Sequence, residues 1–71
     1  MKFVYSDHAE RRMKQRGITP LEIEFVLKHP DYVKKTRGIL EAVGHIQNRQ
    51  VKILYEEIEN YMRIISILNA R

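Results

Sequence analysis

His8, Arg12 and Arg16 recur every fourth residue near the start of a 71-residue chain. On a helix this spacing makes one polar row, beside a second row formed by Ala9 and Met13. A guanidinium fork matches two phosphate oxygens at once, and an imidazole exchanges a proton near neutral pH. Together these groups suggest a phosphodiester site. The same spacing also fits a structural role, in which His8 packs on a sheet and hydrogen-bonds a carbonyl while the arginines are solvated.

The charge around this row is one-sided. Lys and Arg number 13 against 9 Asp and Glu, a net +4. All of that excess falls within residues 1–38, which hold Lys2, Arg11, Arg12, Lys14, Arg16, Lys28, Lys34, Lys35 and Arg37 against Asp7, Glu10, Glu22, Glu24 and Asp31. An acidic partner such as RNA suits this field, with Arg11, Lys14, Lys34, Lys35 and Arg37 as candidate phosphate contacts. A solvated, solubilising surface is the plainer reading. His45 and Tyr55 are weaker candidates whose strand faces the sequence leaves open, and Arg71 is another. His29, ahead of Pro30, suits a helix carboxyl end.

Other chemistries find little support. Ser66 lacks the strained Gly-x-Ser-x-Gly turn of a hydrolase nucleophile, and Gly17, Gly38 and Gly44 lack nucleotide-loop spacing. With no Cys and three scattered His, neither a disulfide nor a structural metal is expected, and no cofactor is implied. Charged residues interrupt every apolar stretch before signal-peptide or membrane-spanning length, so one soluble, cytoplasmic domain over residues 1–71 is expected.

The elements that must position the row are marked by their ends. Lys2 to Ser6 reads as a short strand. Asp7 and Glu10 form a capping box for a helix that Gly17 closes, with Ile18 placed to touch Met13. Thr19-Pro20-Leu21-Glu22 opens a second helix, which ends near Lys28 because Pro30 forces His29 out of helical geometry. Leu21, Ile23, Phe25, Val26 and Leu27 give it a wide apolar face. The period then switches to strands at residues 32–36, 39–46, 51–57 and 61–68, with Gln47-Asn48-Arg49-Gln50 as a hairpin loop. The last strand, apolar on both faces, is expected at the centre of the sheet. The result is an α+β fold, a tight two-helix hairpin on one face of a three- to four-stranded antiparallel sheet, in the order β-α-α-β-β-β.

His8-Ala9-x-x-Arg12-Met13-x-x-Arg16-Gly17-Ile18, followed by a second helix and a strand meander, resembles the small domain-of-unknown-function 4258 family over nearly the whole chain. Arg63-Ile64-Ile65-Ser66 is similar to the final strand of BrnT toxins, which belong with the RelE-like ribonuclease toxins. That resemblance implies a RelE-like fold that lays an RNA backbone, free or ribosome-bound, across a basic surface and cleaves it without a metal. His8 would then be the base and Arg12 and Arg16 the phosphate clamps, the acid remaining unassigned. It also implies an acidic antitoxin protein as a partner. The alternatives are a non-catalytic basic module that binds RNA or an acidic protein, and a structural role for the whole row.

Overall fold

The computed structural model describes residues 2–69. Their elements are β1 (Lys2–Tyr5), α1 (Asp7–Arg16), α2 (Pro20–Lys28), β2 (Tyr32–Thr36), β3 (Ile39–Ile46), β4 (Arg49–Ile58) and β5 (Tyr61–Asn69). Five strands form one sheet in the order β1-β5-β4-β3-β2. β1 runs parallel to β5 and the other neighbours are antiparallel. The expectation of three or four antiparallel strands is thus corrected to five strands in a mixed sheet. The parallel pairing follows from connection length, since both helices and three more strands separate β1 from β5.

The helix boundaries follow local chemistry. Ser6, not Asp7, caps α1, its side-chain oxygen accepting from the Ala9 N–H at 3.0 Å. Gly17 ends that helix at φ 65°, the left-handed geometry a glycine adopts without a Cβ clash. Thr19 and Glu22 form the full capping box of α2, with Pro20 at its first position. Such a cap stabilises a helix by about 1 kcal/mol.

Ala9 and Met13 from α1, Ile18, and Ile23 and Val26 from α2 share one buried cluster with Ala42, Ile46, Val51, Ile53, Tyr55, Ile64 and Ile67. Ala42, Ile53 and Ile67 lie side by side across three strands, so both helices cover the same face. α1 packs on β5 and β1, and α2 on β3. The two helices, joined through Gly17-Ile18-Thr19, share that face. The opposite face carries the ion pairs Lys52–Glu41 at 3.5 Å and Arg63–Glu56 at 3.4 Å.

β4, not β5, is the central strand, and β5 lies between β4 and the short β1. The two-sided apolarity of β5 has a local cause. Leu54 faces Ser66 and Tyr55 faces Ile64, leaving Ile65 as an extra residue in a bulge. The bulge turns Ile64 and Ile67 to the same buried face although they are three residues apart. In α2, Ile23 and Val26 are buried whereas Leu21 and Phe25 are exposed, so its buried stripe is narrower than the apolar pattern implies.

Candidate functional site

The β5 bulge also sets where α1 begins. The Ser6 hydroxyl donates to the Ile65 carbonyl at 2.7 Å, and the Ser6 N–H donates to the Ile64 carbonyl at 3.0 Å. At the other end of the helix, Arg16 Nη1 donates to Asn69 Oδ1 at 2.6 Å. Ten helical rises from Ser6 to Arg16 span about 15 Å, and four strand rises from Ile65 to Asn69 span about 13 Å. The two lengths match, so α1 lies along the last stretch of β5, tied at both ends. The His8, Arg12 and Arg16 row runs along that helix.

Within the row, His8 is exposed in the first turn, and Arg12 and Arg16 are partly buried. No side-chain hydrogen bond involves His8 among the described residues, so its ring nitrogens are open to solvent or ligand. Arg49 at the start of β4 joins the carboxyl end of the row. Its Nη2 donates to the Arg16 carbonyl at 3.3 Å and to Gln47 Oε1 at 3.5 Å. Gln47 Nε2 in turn donates to Glu22 Oε2 at 2.8 Å, linking the β3–β4 turn to α2.

The electrostatics of this end are lopsided. The ion pairs among the described residues are His45–Asp31, Lys52–Glu41 and Arg63–Glu56, none of which involves Arg11, Arg12, Lys14, Arg16 or Arg49. Arg16 and Arg49 are held by amide and carbonyl oxygens, which fix a guanidinium without neutralising it. Glu22 is the nearby acid. The backbone N–H of Thr19 holds its carboxyl below the usual carboxylate range, helped by the Gln47 amide and by the field of Arg49.

The remaining candidates disperse. Arg11 and Lys14 are exposed on α1, flanking the row. Lys34, Lys35 and Arg37 are exposed on β2 and its turn, at the far edge of the sheet and three strand spacings, about 14 Å, from β5. His45 pairs with Asp31 through Nδ1 at 2.9 Å, away from α1. Tyr55 packs its ring in the core, and burial raises its pKa, with Glu57 adding to the effect. Arg71 lies outside the described residues.

Arg49, Gln47 and Asn69 carry no motif in the sequence that marks them for this site. Arg49 fell in an expected four-residue loop, but the turn is only Gln47-Asn48, both at positive φ, so β4 starts at Arg49. Asn48, a residue that tolerates the left-handed conformation, was the signal available for that tighter turn. Asn69 fell one residue past the expected strand end.

Among known proteins, the family model described as Domain of unknown function (DUF4258) matches residues 5–68. No curated protein and no solved structure matches the chain.

Proposed function

We propose that this chain, which belongs to the DUF4258 family, is a metal-independent ribonuclease of RelE-like type that binds an RNA backbone along α1. His8 takes the proton of a ribose 2′-hydroxyl, whose oxygen attacks the adjacent phosphorus. The bond from phosphorus to the 5′-oxygen breaks and that oxygen takes a proton from solvent, giving a 2′,3′-cyclic phosphate and a 5′-hydroxyl end. Arg12 and Arg16 hold the phosphate and its developing charge. The observation that carries this reading is an exposed imidazole and two partly buried guanidinium groups on one helix face, with no carboxylate paired to them among the described residues. The substrate class is RNA, free or ribosome-bound, and a basic surface of this kind also suits an acidic antitoxin.

A second reading, RNA binding without cleavage, is favoured by one specific feature. His8 has no hydrogen-bonded neighbour among the described residues to set its tautomer, as a preorganised base has. Purified protein incubated with RNA and a chelator, with and without ribosomes, separates the two. Cyclic-phosphate ends that vanish in His8→Gln support the nuclease, whereas binding with intact RNA supports the module.

A further inference from the structure

We infer that Arg49 and Arg16 form a two-armed phosphate clamp at the carboxyl end of α1, with Asn69 and Gln47 as its positioning residues. The clamp rests on the reading of α1 as an RNA-backbone surface and adds to it a residue from a different element.

Three observations converge on it. Arg49 reaches the helix end that carries Arg16, because one Arg49 Nη sits 3.3 Å from the Arg16 backbone carbonyl. Each is held by uncharged oxygens, Asn69 Oδ1 for Arg16 and Gln47 Oε1 with the Arg16 carbonyl for Arg49. A guanidinium carries five N–H donors, so these contacts leave most of each fork unused among the described residues. Preorganised forks lose less freedom on meeting an anion than mobile side chains do.

The contacts come from elements far apart in the chain. Asn69 is the last residue of β5, Arg49 the first of β4, and Arg16 the last of α1. A purely structural explanation is available for one of them: Arg49 caps the carboxyl end of α1, where a cation is favourable. It does not account for the Arg16–Asn69 contact, which adds nothing to that cap. Glu22, the acid facing Arg49 from α2, has its two oxygens engaged by the Thr19 N–H and the Gln47 amide rather than by an ion pair with Arg49. The ligand class is a phosphate monoester or diester, recognised by its paired oxygens and charge.

The test uses the whole chain and two probes. Inorganic phosphate is titrated at constant ionic strength, with chloride as the reference, while the Arg Nε–H resonances are followed by NMR. Phosphate-specific movement of both the Arg16 and the Arg49 signals is expected. Arg49→Gln and Asn69→Ala should each weaken phosphate binding about 3- to 10-fold, and Arg49→Lys, which keeps the charge without the fork, should restore only part of it. In parallel, a 2′-O-methyl oligonucleotide, which cannot be cleaved, is bound over a range of salt. Arg49→Gln should lower the salt slope by about 0.7, the value for one phosphate contact on a single strand, and Asn69→Ala should weaken binding with the slope intact. Phosphate that moves neither resonance, or an Arg49→Gln that loses only melting temperature, overturns the clamp. Phosphate binding with no RNA cleavage leaves the clamp standing and overturns the nuclease.

Discussion

A Cβ built on Gly44 would lie 2.8 Å from Cγ1 of Val26, so α2 approaches β3 closely at the one residue of that strand without a side chain. This contact sets how closely α2 sits on the sheet, and with it the position of Glu22, whose carboxylate Gln47 joins from the β3–β4 turn. Gly44→Ala is expected to destabilise the protein by about 1–3 kcal/mol, as overpacking does. Val26→Ala should cancel part of that loss when the two are combined, which a double-mutant cycle of chemical denaturation measures. Full additivity would show that Gly44 and Val26 do not determine the packing distance.

Tyr5 has its hydroxyl buried without a hydrogen-bond partner among the described residues. Burial raises its pKa, with a smaller contribution from Glu24. Tyr5→Phe removes an unsatisfied group and is expected to leave stability unchanged or to raise it by about 1 kcal/mol. The raised pKa means that the stability of the neutral phenol is complete below its ordinary value of 10.0 and is lost as pH climbs through the raised one. Tyr5→Phe should accordingly flatten part of the alkaline fall in melting temperature, and an unchanged fall would contradict this.

Glu22 supplies the opposite limb. Its carboxyl sits below the ordinary value of 4.5, chiefly through the Thr19 N–H. Its contribution is therefore present above that value and disappears as pH falls through the lowered one. Melting curves across this acid range should show a shallower decline in Glu22→Gln than in the unsubstituted protein.

Much of the fold was legible because helix ends are set by local chemistry. Gly17, Thr19, Pro20 and Glu22 declare their roles within six residues of chain. The sheet was less legible, because the β1–β5 pairing joins segments some sixty residues apart and the Ile65 bulge imitates a strand buried on both faces. Of the site, the α1 row could be seen because helical spacing is periodic. Arg49 and Asn69 could not, since nothing local relates either of them to Arg16.

Arg12 and Arg16 also make a statement about salt. Arg12→Ala and Arg16→Ala should each weaken RNA binding and lower the logarithmic salt slope by about 0.7. Lys34→Ala and Lys35→Ala, about 14 Å away on β2, should change binding less if α1 alone carries the backbone. Fluorescence anisotropy at several salt concentrations reads both effects, and equal losses at the two sites would extend the RNA surface across the sheet.

The most direct test of the nuclease is the rate of RNA cleavage by purified protein and by His8→Gln, measured in chelator with ribosomes present and absent. The expected result is cyclic-phosphate ends from the unsubstituted protein and a loss of about 10²–10⁴-fold in His8→Gln, with RNA affinity and melting temperature nearly unchanged. No cleavage under either condition, or cleavage that His8→Gln leaves intact, would contradict it.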